Sequence, residues 1–203
     1  MTISTRRRRA EAMRRSGSSG LVTLPNGLTL ARIAAVPGMV GLLYLDQPAA
    51  AFACFGVFVA ASVTDFFDGY LARRLDQMSE FGRVLDPIAD KLLVAVALIM
   101  LAAFDQAPLI AVVAIIGREL FISGLREALA GRITLPVTWL AKWKTASQMG
   151  AVALLLIAPG LGIDALASAG EGLLWLAVGL SWVTAIDYVR HVWRASAGAK
   201  PKA

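Results

Sequence analysis

The sequence predicts an all-α protein that crosses a membrane with six helices. Of its residues, 58% are hydrophobic, and the mean hydropathy is +0.67. Soluble domains are usually closer to half apolar and lack long uncharged runs. Here apolar runs recur from residue 21 to residue 192, and each is long enough for a bilayer span of about 20 residues.

The apolar runs predict helices at about 22–45, 49–74, 82–104, 107–130, 138–158 and 168–192. We assign residues 21–194 to one transmembrane helical domain. Residues 1–20 form a polar, basic, Gly/Ser-ended arm that we expect to be disordered, and residues 195–203 form a short tail. The first apolar run is too long for a signal-peptide core and five more follow, so we expect no cleavage.

The charge distribution predicts the orientation of these helices. The turns at Asp46, Asp105 and Asp164 contain no lysine or arginine, whereas the basic residues collect at the opposite ends of the helices. This positive-inside pattern places both termini in the cytoplasm. The net charge of +6 is expected to attract anionic membrane lipid. No motif accompanies it that would indicate nucleic-acid binding.

Four aspartates at fixed spacing predict a metal site. Asp65 and Asp68 are three residues apart and Asp86 and Asp90 are four apart, so each pair lies on one face of its helix. Ionisable residues inside membrane helices are costly, which makes a functional site their default interpretation. Close carboxylates repel one another, and their oxygen ligands suit two hard ions such as Mg²⁺ or Mn²⁺. Cys54 is the only cysteine, which excludes a zinc site built from cysteines.

An alternative interpretation is that these aspartates pair with arginines as contacts between helices. Arg73, Arg74 and Arg83 are close enough in sequence for that role. Gly69 and Gly82 favour close approach of a ligand, although glycines also serve ordinary helix packing in membranes.

Basic side chains are predicted to form a second set at the same depth: Arg32, Arg118, Arg126, Lys142 and Lys144. Arg118 lies too deep in its helix to reach the membrane surface easily, whereas Lys142 and Lys144 are also compatible with interfacial anchoring. Glu119 is seven residues before Arg126 on the same helical face, so a structural pair between them is an alternative.

Carboxylate-bound metals beside a basic pocket favour phosphoryl transfer. The metals would neutralise a pyrophosphate and a carboxylate would accept a proton, while the basic residues would bind the phosphate of a second substrate. A divalent-cation transporter is a remote alternative. It is disfavoured because arginines crowd the site and the predicted outer half has no polar residues to complete a pathway.

Eight positions resemble, without departure, the full signature of the CDP-alcohol phosphotransferases: Asp65-x2-Asp68-Gly69-x2-Ala72-Arg73-x8-Gly82-x3-Asp86-x3-Asp90. Three other stretches resemble the bacterial phosphatidylglycerophosphate synthases of this family: LPNGLTLARI (24–33), IIGRELFISGLREAL (115–129) and WLAKWKTASQM (139–149). The resemblance covers most of the helical region and leaves out the N-terminal arm.

The resemblance implies a six-helix enzyme of the bacterial inner membrane, a homodimer with its active site facing the cytoplasm. It would transfer the phosphatidyl group of CDP-diacylglycerol to sn-glycerol 3-phosphate and release CMP. Other acceptors used by relatives stay open: phosphatidylglycerol to make cardiolipin, inositol phosphate, or serine.

The resemblance also implies roles for individual residues. Two Mg²⁺ or Mn²⁺ ions would be bound by Asp65, Asp68, Asp86 and Asp90, and Asp90 would also be the catalytic base. The CDP-lipid site would comprise Asn26, Thr29, Arg32, Asp68, Gly69, Ala72, Arg73 and Gly82. The acceptor phosphate would be bound by Arg118, Arg126, Lys142 and Lys144.

Overall fold

A computed structural model describes residues 24–42, 44–75, 80–129 and 139–198, without the side chains of 24–26, 65–75, 80–87, 90 and 195–198. The predicted arm at 1–20 and most of the tail lie outside the described residues. The described chain forms six α-helices and no strand: α1 (Leu24–Leu42), α2 (Ala49–Leu75), α3 (Glu80–Ala103), α4 (Leu109–Ala128), α5 (Trp139–Leu161) and α6 (Asp164–Gly198). For these residues the predicted all-α fold is confirmed.

The junction between α5 and α6 differs from the prediction by several residues. α5 was expected to end near residue 158 but continues through Pro159 to Leu161. It ends where Gly162 adopts a left-handed conformation, φ +64°, and donates its N–H to Ala158 O at 3.0 Å. α6 then begins at Asp164, because an acidic residue in the first turn stabilises the positive end of the helix dipole.

The pair formed by α5 and α6 is the most extensive helix contact. Its closeness depends on glycine, because a Cβ at Gly150 would lie 3.0 Å from Leu173 Cδ2, and one at Gly170 would lie 2.9 Å from Leu155 Cγ. α1 packs on α2 and α3, α2 packs on α5, and α4 packs on α6. Small residues at helix contacts are typical of membrane bundles.

The buried core draws on every helix, with Met39, Phe58, Leu98, Ile115, Leu155 and Leu174 all fully or almost fully buried. This continuous core fixes the mutual positions of the helices that carry the predicted site.

The three turns that lack basic residues lie at one end of the bundle. Gly160, near the end of α5, lies beside Ala51 at the start of α2, just after the Asp46 turn. Asp105 and Asp164 line one cavity of about 340 Å³ at that same end. This arrangement agrees with the grouping expected from the charge pattern.

Two of the described helices are long and apolar enough to cross a membrane. They are α5, with mean hydropathy 1.2, and residues 164–194 of α6, with mean hydropathy 1.5. Only 22% of the apolar window in α6 is buried, whereas a core helix of a soluble protein is mostly buried. The shorter apolar segments are Gly27–Leu42, Ala49–Thr64 and Lys91–Ala103. The six-span topology therefore stays a prediction.

The surface of α4 is apolar despite the charges in this helix. Ile110, Val113 and Leu120 are 75%, 61% and 68% exposed, and their spacing places them on one face. Such an exposed apolar face is typical of a surface that contacts lipid.

Candidate active site

The predicted metal and nucleotide residues fall mainly outside the described side chains: Asn26, Asp65, Asp68, Gly69, Ala72, Arg73, Gly82, Asp86 and Asp90. The backbone is helical at all these positions, so each aspartate pair keeps its expected spacing on one helix. Their ligand roles stay predictions. Among the described residues, no group of three His, Cys, Asp or Glu side chains forms another metal site.

Thr29 and Arg32 are buried in α1, with exposures of 1% and 3%. They are three residues apart, so they share one face of the helix. α1 packs against α2 and α3, which carry the four aspartates. A fully buried arginine is unusual, and its position is compatible with the predicted CDP-lipid site.

Arg118 fastens α4 to α6. Its Nε donates to Ser181 O at 2.8 Å and its Nη2 donates to Thr184 Oγ1 at 2.7 Å. Its Nη1 contacts Glu119 Oε1 at 3.2 Å. The arginine is only 8% exposed, so its charge is held by polar groups inside the protein.

Glu119 connects Arg118 to a second cation, Lys144 of α5. The ammonium of Lys144 donates to Glu119 Oε1, the oxygen that Arg118 also contacts. The pair proposed from helical spacing was between Glu119 and Arg126, but the guanidinium of Arg126 lies 5.6 Å from the ring centroid of Tyr188. Glu119 instead forms its ion pairs with its chain neighbour and with another helix.

Lys91 joins this group from α3. It directly follows Asp90 in the sequence, and its ammonium donates to Ser123 Oγ on α4. Ser123 lies one turn after Glu119, and Glu119 also interacts electrostatically with Lys91. Lys91 is not among the site residues predicted from the sequence, although its position beside Asp90 was a signal that could have indicated it.

The other two predicted acceptor residues make different contacts. Arg126 and Lys142 are exposed, and Lys142 lies 5.9 Å from the ring centroid of Trp139. Contact with an exposed tryptophan is compatible with the interfacial-anchor alternative for Lys142. The structure thus brings together Arg118 and Lys144 and does not bring Lys142 into the same contact network.

In the described part of this cluster, two cations, Arg118 and Lys144, contact the carboxylate of Glu119, and the exposed Lys91 bonds to Ser123 one turn away. The guanidinium and the ammonium groups carry more N–H donors than these contacts use. Positive charge with spare donors in a partly buried site is suited to binding a phosphate group.

Comparison with known proteins gives consistent findings. A family model described as CDP-alcohol phosphatidyltransferase matches residues 22–183. The CDP-diacylglycerol–glycerol-3-phosphate 3-phosphatidyltransferase 2 of Arabidopsis thaliana is 42% identical over 195 residues, covering 87% of this chain and 82% of the relative. An enzyme of the same name, without the numeral, from Rickettsia bellii (strain RML369-C) is 44% identical over 169 residues, covering 82% and 93%.

A third relative carries a different name. The cardiolipin synthase (CMP-forming) of Oryza sativa subsp. japonica is 41% identical over 192 residues, covering 86% of this chain and 58% of the relative. Because this identity is close to the 42% of the Arabidopsis relative, overall identity alone does not separate these two kinds of relative.

We expect Thr184→Val to destabilise the fold through Arg118. The substitution removes the hydroxyl that accepts from Arg118 Nη2, and a hydrogen bond to a charged group contributes about 1.5–3 kcal/mol. The unfolding midpoint of the purified protein should fall. Thr145→Val is the matched control, because the Thr145 hydroxyl is exposed and bonds to Ala141 O of its own helix. Equal midpoints for the two variants would contradict the role of this contact.

Proposed function

The chain belongs to the CDP-alcohol phosphatidyltransferase family, and we propose that it transfers a phosphatidyl group from CDP-diacylglycerol to sn-glycerol 3-phosphate. The products would be phosphatidylglycerophosphate and CMP. The names of the Arabidopsis and Rickettsia relatives support this activity, as do the eight signature positions of the sequence.

The cluster around Glu119 is the observation that carries the choice of acceptor. Arg118 and Lys144 converge there from two helices, and Lys91, the residue next to Asp90 in the sequence, donates from α3 to Ser123 of α4, one turn after Glu119. A phosphate monoester offers more negative charge to these cations than a phosphodiester or serine does, and among the monoesters the names of the relatives favour glycerol 3-phosphate over inositol phosphate. The hydroxyl of glycerol 3-phosphate would then lie toward Asp90, which accepts the proton as the hydroxyl attacks.

Phosphatidylglycerol as acceptor is the second candidate, because the rice relative is named a cardiolipin synthase. Its phosphodiester carries only one negative charge and would make less use of three cations. We therefore rank it below glycerol 3-phosphate.

We assign two Mg²⁺ or Mn²⁺ ions to Asp65, Asp68, Asp86 and Asp90. The chemistry of the donors fits, because carboxylate oxygens are preferred by hard divalent ions and each pair has helical spacing on one face. When bound, such ions would neutralise the pyrophosphate of the CDP-lipid and stabilise CMP as it leaves.

The remaining roles belong to the protein. Thr29 and Arg32, with the other predicted CDP-lipid residues, would hold the nucleotide, and the acceptor would attack the phosphorus directly. Cys54 is 1% exposed and its thiol contacts Met39 O at 3.6 Å, so it is not positioned as a nucleophile. Direct attack releases CMP in one step without a phosphatidyl-enzyme.

The setting that we propose is a bacterial inner membrane crossed six times, with both termini and the active site on the cytoplasmic side. The exposed apolar face of α4 and the three acidic turns at one end support this arrangement. Anionic lipid would contact the basic end of the bundle. A homodimer is expected from the family resemblance.

An acceptor panel tests the proposed function. Purified protein in detergent micelles receives CDP-diacylglycerol with glycerol 3-phosphate, phosphatidylglycerol, inositol phosphate or serine, and CMP release is followed. We expect release with glycerol 3-phosphate well above that with the other acceptors. Faster release with phosphatidylglycerol would contradict the assigned acceptor.

Removal of divalent ions should abolish turnover, because the four carboxylates of the proposed site would need neutralisation before they could face a pyrophosphate. Excess chelator is expected to stop CMP release, and added Mg²⁺ or Mn²⁺ should restore it. Activity that persists undiminished in excess chelator would rule out the proposed metal site.

Asp90→Asn should reduce the turnover rate by about 10²–10⁴-fold, the usual contribution of a general base, because the amide cannot accept the hydroxyl proton. Binding of CDP-diacylglycerol should change much less. Asp105→Asn is the matched control: this residue lies in an exposed turn with φ 56°, a conformation that asparagine tolerates. A near-normal rate for Asp90→Asn would refute the assignment of the base.

A further inference from the structure

In the predicted acceptor site, the carboxylate of Glu119 on α4 forms ion pairs with one cation of its own helix and one cation of α5. Its Oε1 contacts both Arg118 Nη1, at 3.2 Å, and the ammonium of Lys144. The side chains of Arg118, Lys144 and Glu119 are 9%, 12% and 23% exposed. All three side chains are therefore largely withdrawn from solvent. Charge interactions in such a partly buried environment are stronger than in water.

Without a carboxylate between them, Arg118 and Lys144 would repel each other. Arg118 is fixed by the α6 groups Ser181 O and Thr184 Oγ1, whereas Glu119 is the described ion-pair partner of Lys144. Loss of the carboxylate would therefore release Lys144 more than Arg118. The long lysine side chain would then adopt other rotamers, with its ammonium directed toward water.

The same carboxylate leaves both cations able to bind another anion. One contact occupies the ammonium of Lys144 and three occupy the guanidinium of Arg118, and each group has further N–H donors. Glu119 therefore brings the two cations to one place without using up their capacity to donate. This is the arrangement expected of a residue that prepares a phosphate site before the phosphate arrives.

We propose that Glu119 is a positioning residue that holds Lys144 beside Arg118 so that both can bind the phosphate of the acceptor. This inference rests on the proposed function, because it takes the acceptor to be a phosphate monoester. Glu119 itself would not contact the phosphate, since two anions repel. It would act through Lys144.

Steady-state kinetics of Glu119→Gln test the proposal. The amide keeps the size of the side chain but loses the charge that attracts the two cations. We expect KM for glycerol 3-phosphate to rise by about tenfold, the lower end for loss of a charge-assisted contact, with KM for CDP-diacylglycerol changed less than about twofold. Glu119→Asp, which keeps the charge, should recover part of the loss. Glu127→Gln is the matched control, an exposed glutamate two turns further along α4.

A double-substitution cycle separates positioning from a general structural role. If Glu119 acts through Lys144, then Glu119→Gln should raise KM for glycerol 3-phosphate by only about twofold in a protein that already carries Lys144→Met. The unfolding midpoint of each variant is measured in parallel.

The outcomes distinguish failure of the proposed function from failure of the positioning role. If the unmodified protein releases no CMP with glycerol 3-phosphate, the proposed function fails. If it does, and Glu119→Gln behaves like Glu127→Gln, the positioning role is overturned while the function stands. Equal rises in KM for both substrates, or the same tenfold effect of Glu119→Gln in the Lys144→Met protein, would also overturn it.

Discussion

An ionised side chain that is withdrawn from water needs an opposite charge or polar groups around it, and the position of α4 depends on meeting that need for Arg118. A main-chain oxygen and a hydroxyl of α6 accept hydrogen bonds from its guanidinium, and Glu119 balances its charge. α4 would lose its two hydrogen-bond partners on α6 if it rotated or slid along that helix. The polar contact therefore defines a register that the apolar surfaces of these helices, which pack without direction, do not specify by themselves.

The close packing of α5 against α6 also determines where Lys144, the second cation of the cluster, is placed. Gly150 and Gly170 leave room for leucine side chains of the facing helix, and Lys144 lies on α5 six residues, nearly two turns, before Gly150. α6 bonds directly to Arg118 and packs tightly against α5, which carries Lys144. The positions of both cations therefore depend on α6. The packing of two glycines against leucine side chains of the facing helix thus contributes to the geometry of the polar cluster.

Hydropathy located all six helices, because apolar runs of bilayer length leave little ambiguity about which segments are helical. It misplaced the junction at Pro159 and Asp164, where a proline did not end a helix and an acidic residue started one. Helical spacing also left a pair between Glu119 and Arg126 as an alternative. The observed partner, Lys144, lies on another helix, and contacts between helices depend on rotation and register that periodicity within one helix does not contain. Lys91 directly follows Asp90, which the sequence shows, but its bond to Ser123 joins two helices and could not be predicted from spacing. The four aspartates were identified by spacing and resemblance, and their side chains lie outside the described residues.

The bond from Arg118 Nε to Ser181 O has a consequence for how the protein tolerates sequence change. A main-chain oxygen is present whichever residue occupies position 181, so this contact does not require a particular side chain there. Within the described part of the chain, the Ser181 hydroxyl makes no hydrogen bond, and the residue is fully buried. Position 181 should therefore accept alanine as readily as serine and reject larger residues. Position 184, one turn away, depends on a hydroxyl and should accept serine in place of threonine. Positions 181 and 184 both contact Arg118, but the substitutions that they accept would differ. Side-chain volume limits them at position 181, and the need for a hydroxyl limits them at position 184.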